Sequence, residues 1–381
     1  MPRPKRRAAA RATKYDTEME RDVNVEDLDE ALEVIPFTYS ITAYGADYPV
    51  DSIVKRMEAK DIIVPRFSWK PEDDSDIVGF QRAYVWPRPK ADKFIESLLL
   101  GLPVPGIFLV KEQSGRLLVL DGHQRLHTLA AYYKGIINGA EYALENVQER
   151  FVGKRYADLD VEDRRRLNDS IIHATVVRQD QPTEDQSSIY TIFERLNTGG
   201  VNLQPQEIRV ALYHGEFVRV LSKLNDDAAW RKLFGKKTKR LKDMEMILRF
   251  FAFYYYEKKY KGPMKDFLNR YMASNRNLER QTKKDLTKIF QETTATIVKA
   301  IGTRAFRPVR AVNAAVIDSV MTGVARRIAD GPIKKKDQLA KRYKALLKNK
   351  AYWKAVETGT SQEANVQTRL NLATKAFASV R

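Results

Sequence analysis

Residues 118–126 read Leu-Val-Leu-Asp-Gly-His-Gln-Arg-Leu, and the predicted fold depends on this stretch. Its apolar start predicts a buried strand, Gly122 permits a tight turn, and the residues that follow have helical spacing. A strand that passes through a glycine turn into a helix presents backbone N–H groups and the positive end of the helix dipole at the turn. The stretch is therefore a candidate phosphate site.

The residues of this turn allow two readings. In the structural reading, Asp121 is the N-cap of the helix, and Gln124, three residues on, completes a capping box. In the functional reading, the planar fork of Arg125 binds a phosphate oxygen, while Asp121 holds a divalent metal or orients a water. His123 and His127 lie one helical turn apart, but position 124 is not Glu, so the zincin motif fails.

Hydrophobic periodicity around the turn predicts a mixed α+β region. The predicted elements are a helix over 91–102, strands over 104–110, 116–120 and 171–178, a helix ending near 196 and a helix from about 205. Beyond Gly215 the pattern indicates helices and no convincing strand. The predicted fold class is therefore α+β, followed by an all-helical domain.

A glycine-containing loop after residue 196 is a second candidate for phosphate binding. Its chemistry is that of an ordinary helix-ending turn, but the arginines on either side would also let it close over a triphosphate. The residues of this group are Arg195, Asn197, Thr198, Gly199, Gly200 and Arg209.

A polar pair ahead of two aromatic residues is a third candidate. Gln81 and Arg82 precede Tyr84 and Trp86. The structural alternative is an edge strand whose rings pack against the core.

The net charge of +18 is divided unevenly along the chain. Residues 1–14 carry +6, residues 15–215 carry −11 and residues 216–381 carry +23. Single basic clusters are usually solvated helix faces, but a helical domain with this excess attracts the phosphate backbone of nucleic acid. The candidate DNA-binding residues are Lys236, Lys237, Lys239, Arg240, Lys334, Lys335 and Lys336.

Composition and motifs exclude several classes of protein. The chain has no cysteine, which removes disulfides, Cys-ligated zinc and thiol nucleophiles. It also has no P-loop, dinucleotide-binding or G-x-S-x-G motif. The absence of cysteine is consistent with a reducing cytoplasm, and no apolar run approaches the ~20 residues that cross a bilayer. We therefore expect a soluble, cytoplasmic protein with no membrane partner. The predicted domains are a basic flexible arm over 1–24, an α+β domain over 25–215 and a basic helical domain over 216–381.

Four stretches together resemble the N-terminal domain of GmrSD-type modified-DNA restriction enzymes, a family related to the ParB/sulfiredoxin-like fold. In the family's order they are FQRAYVW from residue 80, IESLLLGLPVPGIFLV from residue 95, VLDGHQRLHTL from residue 119 and FERLNTGGVNLQPQEIR from residue 193. The family signature D-G-Q-Q-R reads Asp-Gly-His-Gln-Arg at 121–125 here. Residues 243–251 and 360–369 also look like the family's helical extension.

The resemblance implies nucleotide binding, and often nucleotide hydrolysis, at this loop. It assigns catalysis to Asp121, Gln124 and Arg125, with Mg²⁺ on Asp121 and with Gly122 and His123 against the nucleotide. It further implies that Gln81 and Arg82 line the pocket and that the segment from Arg195 to Gly200 covers it. Many relatives carry a C-terminal HNH nuclease domain, which we do not expect here because no His-rich segment occurs.

These observations favour an NTP-hydrolysing protein that couples a nucleotide site to DNA binding in bacterial anti-phage or modified-DNA restriction defence. A nuclease or another defence-system subunit is the implied protein partner. One alternative is a non-catalytic DNA-binding or adaptor subunit of a defence complex. Another, ranked lower, is a ParB-like nuclease.

Overall fold

The computed structural model describes residues 40–64, 86–181, 187–196, 203–238 and 240–381. They divide into two compact units. The sheet unit comprises the described residues from 40 to 203 together with Ile208–His214, and the helical unit comprises Gln204–Glu207 and Gly215–Arg381. The predicted α+β class with a helical C-terminal part is confirmed. The predicted arm over 1–24 lies outside the described residues.

The sheet unit is built on a five-stranded mixed sheet with the order β1-β7-β3-β4-β2. The neighbouring pairs β1–β7 and β3–β4 are antiparallel, whereas β7–β3 and β4–β2 are parallel. The strands of this sheet are β1 (Ser40–Pro49), β2 (Ile62–Ile63), β3 (Ile107–Lys111), β4 (Leu117–Asp121) and β7 (Ile171–Gln181). A separate two-stranded ribbon consists of β5 (Ile136–Ile137) and β6 (Ala140–Glu141).

Helices alternate with these strands along the chain. They are α1 (Val50–Glu58), α2 (Arg88–Leu99), α3 (His123–Lys134), α4 (Val161–Asp169), α5 (Ser187–Leu196) and α6 (Pro205–Leu212). The helix predicted over 91–102 begins earlier, at Arg88, because Pro87 and Pro89 suit a helix start.

The strand β4 is buried on both faces, which explains its continuous apolar run. Leu117 and Val119 join a core cluster that includes residues of α1, α2, α3 and α4. Leu118 and Leu120, which point to the other face, are also buried, and α5 packs against β4 and β7. The strand therefore holds the end that carries Asp121 rigidly within the sheet.

The helical unit contains, among its described residues, the helices α7 to α15. They are α7 (Glu216–Leu224), α8 (Ala228–Phe234), α9 (Lys242–Tyr256), α10 (Met264–Ser274), α11 (Lys283–Ala300), α12 (Ala314–Ala329), α13 (Lys336–Lys348), α14 (Lys350–Glu357) and α15 (Glu363–Ala378). In the part of the chain that is described, no helix combines the length and the apolar character needed to cross a membrane.

A buried ion cluster joins three helices of this unit. Asp318 on the central helix α12 accepts hydrogen bonds from Arg249 of α9 at 3.1 and 2.7 Å and from Arg369 of α15 at 2.9 Å. All three side chains are almost completely buried. Because both arginines converge on one carboxylate, the loss of that carboxylate would leave two buried positive charges without their shared acidic partner.

Several elements of the structure were not predicted from the sequence. The edge strand β1 lies largely exposed, so it lacks the apolar run that marks a strand. The helices α7, α8 and α14 are seven to nine residues long. Helices this short are stabilised mainly by the packing around them.

Replacing Asp318 by Asn should destabilise the helical unit by about 3–5 kcal/mol, the usual effect of removing one partner of a buried ion pair. The measurement is urea unfolding followed by tryptophan fluorescence, since Trp230 is buried in this unit. The matched control is Asp330→Asn, because Asp330 is exposed at the end of the same helix. The control should change stability by less than about 0.5 kcal/mol, and equal effects of the two variants would contradict the role given to Asp318.

Candidate functional site

The turn between β4 and α3 has a left-handed glycine at its centre. Asp121 is the last residue of β4 and pairs with Phe108 of β3. Gly122 follows with a φ of 102° and is the N-cap of α3, which begins at His123. The predicted strand–turn–helix sequence is therefore present, and α3 ends at Lys134 before Gly135.

The capping box expected in the structural reading is wrong. The N-cap of α3 is Gly122, not Asp121. The reason is that Asp121 is still paired within the sheet, one residue too early to cap the helix. The positive end of the α3 dipole therefore lies at the glycine turn, a position at which a helix can bind an anion.

Close packing makes glycine necessary at this turn. A Cβ atom at Gly122 would lie 2.4 Å from Cγ2 of Ile107, well inside van der Waals contact. The same holds at Gly106, where a Cβ atom would lie 2.8 Å from the backbone oxygen of His173. These two glycines let β3 approach both the turn and β7.

An ion pair spans the turn. Nη2 of Arg125 lies 2.9 Å from Oδ2 of Asp121 and also donates to the carbonyl oxygen of Gly106 at 3.0 Å. The Arg125 side chain is only 14% exposed, whereas that of Asp121 is 54% exposed. Nε of Arg125 is buried and has no hydrogen-bond partner among the described residues. The arginine is thus held in place by its Nη2 group, and the carboxylate faces solvent.

The turn also contacts the end of the third candidate motif. Oε1 of Gln124 accepts a hydrogen bond from the backbone N–H of Trp86 at 3.4 Å. The Trp86 ring packs edge-on against Phe94, and Nζ of Lys90 lies 4.9 Å from the Trp86 ring centroid. Lys90 and the two close-packed glycine contacts were missed from the sequence, because their importance depends on which segments meet in space.

The other predicted nucleotide-binding residues are placed as follows. Arg195 is exposed in the last turn of α5, the helix that packs on β4. Arg209 is completely buried in α6. His123 is half-buried at the start of α3. Gln81, Arg82, Asn197, Thr198, Gly199 and Gly200 lie outside the described residues.

Metal binding at this turn would rest on Asp121. Among the described residues, no three His, Asp or Glu side chains come together as a metal site. A single carboxylate still fits Mg²⁺ in its usual nucleotide-bound form, because that ion keeps several waters and takes its other ligands from phosphates.

The predicted DNA-binding residues lie in the helical unit. Lys236 and Lys237 are exposed in the connection between α8 and α9, and Arg240 is half-buried there. Lys334, Lys335 and Lys336 are exposed at the start of α13, where the backbone N–H of Lys335 donates to the carbonyl oxygen of Arg381 at 2.7 Å. Lys239 lies outside the described residues.

The sheet unit thus has a turn that passes from a strand through a glycine into a helix, with an arginine–carboxylate ion pair across it. This arrangement is suited to binding an anionic ligand. Residues 68–214 match the family described as the GmrSD restriction endonuclease, N-terminal domain. This match confirms the resemblance of the four sequence stretches. No curated protein matches the chain.

Replacing Gly122 by Ala should destabilise the sheet unit more than Gly135→Ala at the other end of α3. Both residues have a positive φ, so each alanine costs about 1–2 kcal/mol of backbone strain. Nothing lies within 4 Å of a Cβ atom at Gly135, whereas Ile107 blocks one at Gly122. Overpacking should add about 1–3 kcal/mol to the effect of Gly122→Ala. Chemical unfolding of both variants measures the difference, and equal losses would show that the Ile107 contact is not restrictive.

Proposed function

We propose that the turn from Asp121 to Arg125 binds and hydrolyses a nucleoside triphosphate, and that the nucleotide state controls DNA binding by the helical unit. The observation that carries the proposal is the geometry of the turn, with Arg125 held beside the N-terminus of α3, where the N-cap is Gly122. The family match supports a role connected with restriction. Anti-phage or modified-DNA restriction defence in the cytoplasm is the proposed setting.

Two groups of this chain act on the phosphates in the proposed mechanism. The first-turn N–H groups of α3 and the guanidinium of Arg125 bind the phosphate oxygens and neutralise their charge. Arg125 is able to do so through its remaining donors, since Nη2 is shared with Asp121 and the Gly106 carbonyl.

Asp121 has a different role. Its carboxylate is half-exposed, and the strand β4 holds it in place. It would hold Mg²⁺ or orient the attacking water. Bound Mg²⁺ would supply charge neutralisation on the phosphates. In the hydrolysis, water adds to phosphorus, the phosphoanhydride P–O bond breaks, and the cleaved phosphate and the shortened nucleotide are released.

The remaining predicted residues complete the proposed site. Gln124 positions the turn through its contact with the Trp86 backbone. We propose that Gln81 and Arg82 line the nucleotide pocket and that the segment from Arg195 to Gly200 covers it. His123 and Arg209 remain predictions as nucleotide-binding residues.

Asp121→Ala and Arg125→Ala should each lower the rate of NTP hydrolysis about 10²-fold or more, the usual effect of removing one charge-stabilising group. The measurement is phosphate release from ATP, GTP, CTP and UTP by the pure full chain with Mg²⁺. The variants are compared with the wild-type protein on the nucleotide that the wild-type protein hydrolyses fastest.

The controls for this experiment are Glu162→Ala and Arg166→Ala. Nη2 of Arg166 lies 3.1 Å from Oε1 of Glu162 four residues earlier, and Nη1 of Arg166 donates to the Leu99 carbonyl at 3.5 Å. This pair matches the Asp121–Arg125 arrangement in charge, spacing and carbonyl contact, but it lies away from the turn in sequence. The controls should keep activity within about twofold of wild type. Equal activity in all five proteins would disprove the site assignment.

A second function is favoured by the ion pair itself. Asp121 and Arg125 already pair with each other, so the turn would be stable without a ligand. This arrangement supports a non-catalytic DNA-binding or adaptor subunit that senses a nucleotide or needs the turn only for folding. If the protein senses a nucleotide, that nucleotide should raise the melting temperature of the protein without being hydrolysed. If the turn is needed only for folding, added nucleotide should leave the affinity for DNA unchanged. DNA cleavage with Mg²⁺ or Mn²⁺ that is lost in Asp121→Ala would instead favour the ParB-like nuclease.

A further inference from the structure

We propose that two loops and one helix of the helical unit form a continuous surface for the phosphate backbone of duplex DNA. The proposal rests on the DNA-binding part of the proposed function and names where that binding occurs. The basic surface, as we call it, comprises loop A (residues 235–238), loop B (residues 302–311) and the exposed side of α13. Its exposed basic side chains include Lys236, Lys237, Arg304, Arg310, Arg342 and Lys344.

Loop A is held by a buried carboxylate. Oγ1 of Thr238 donates to Oδ1 of Asp243 at 2.7 Å, and the Thr238 backbone N–H donates to Oδ2 at 3.3 Å. Asp243 is completely buried, and it also accepts from Arg231 at 2.9 Å and from Asn225 at 3.0 Å. The loop that carries Lys236 and Lys237 is therefore fixed to the core, which lowers the entropic cost of placing its charges against a partner.

Loop B is also fixed to the core, in this case mainly by the packing of a buried aromatic ring. Phe306 is completely buried, and its ring lies 6.1 Å from that of Trp230. The carbonyl oxygen of Phe306 accepts from the Asn313 backbone N–H at 2.9 Å. With these anchors inside, Arg304 and Arg310 are both exposed on the outer side of the loop.

Arg307 joins loop B to loop A. Its guanidinium donates to the carbonyl oxygens of Leu233 and Phe234, the last residues of α8, directly before loop A. Nη2 of Arg307 would lie 3.3 Å from a Cβ atom at Gly235, the first residue of loop A. The two loops are thus in direct contact, and Arg307 has a structural role between them.

Loop B also contacts α13. The hydroxyl of the buried Tyr343 donates to the carbonyl oxygen of Ala305 at 2.8 Å. Arg342 and Lys344, on either side of Tyr343 in sequence, are exposed. Loop B therefore connects two basic segments that lie about a hundred residues apart in the sequence.

Little negative charge offsets this surface. Lys237 pairs with Asp226, and Asp337 is exposed in the first turn of α13, but no acidic residue occurs between Glu292 and Asp318, the stretch that contains loop B. The pKa of Arg307 is held below its usual value, mainly by burial and further by the positive charge of Arg304. A bound phosphate would relieve this repulsion between like charges.

The chemistry of the surface fits a phosphodiester backbone better than a membrane. A surface that binds a membrane by insertion needs apolar side chains that enter the lipid. Among the described residues of the basic surface, one large apolar side chain, that of Val309, is exposed. Fixed arginines and lysines without an apolar face are typical of sequence-independent contact with DNA phosphates.

The test is binding of a fluorescent DNA duplex of mixed sequence by the full chain, without nucleotide, at several salt concentrations. Arg304→Ala combined with Arg310→Ala should weaken binding about tenfold and lower the slope of log K against log salt by about 1.8, which is two phosphate contacts. Lys236→Ala combined with Lys344→Ala should have a similar effect and removes charge from the other two segments. Circular dichroism verifies that both variants are folded.

The matched control is Lys283→Ala combined with Lys284→Ala, which removes the same charge from the same unit. These exposed lysines begin the 18-residue helix α11, and loop B follows its end, so about 27 Å of helix separates them from the loop. The control should bind DNA with nearly the wild-type affinity and salt slope.

Three results would overturn the proposal, and they are distinguishable. If wild type binds no duplex, the DNA-binding part of the proposed function fails together with the surface. If wild type binds and both surface variants match the control, only the surface assignment fails. If wild type binds phosphatidylserine vesicles and no duplex, the partner is a membrane and not DNA.

Discussion

The contact between Ile107 and Gly122 is the constraint on which the candidate site depends. No Cβ atom fits at Gly122, since it would lie 2.4 Å from Cγ2 of Ile107. With glycine there, the chain turns directly from β4 into α3 at a φ that other residues rarely adopt. That turn places Arg125 one helical turn beyond Asp121, within reach of both its carboxylate and the Gly106 carbonyl.

The two units use buried charge in different ways. In the sheet unit, the Asp121–Arg125 pair is at the surface, with the arginine mostly covered and the carboxylate open to solvent. In the helical unit, Asp318 joins three helices and Asp243 fixes a basic loop, and both carboxylates are completely buried. These two acidic side chains therefore support the structure from inside, while much of the excess positive charge of the unit remains outside.

Much of the fold was predictable because strong local patterns survive in the tertiary structure. The apolar run before Asp121 and the helical spacing after Gly122 correspond to β4 and α3. The capping box was wrong because the cap depends on how far β4 stays paired with β3, which is a contact between distant segments. Arg304 and Arg310 were missed for the same reason, since their relation to loop A and α13 depends on Arg307 and Tyr343.

The sequence by itself determined the α+β class, the helical second part, the strand–glycine–helix turn and the division of charge, because periodicity, glycine and net charge act locally or as sums. Only the tertiary structure decided that Gly122 must be glycine and that Arg125 is fixed by Gly106. It also decided that three basic segments form one surface. The physical reason is that close packing and hydrogen bonds between distant segments depend on positions in space, which no local pattern contains.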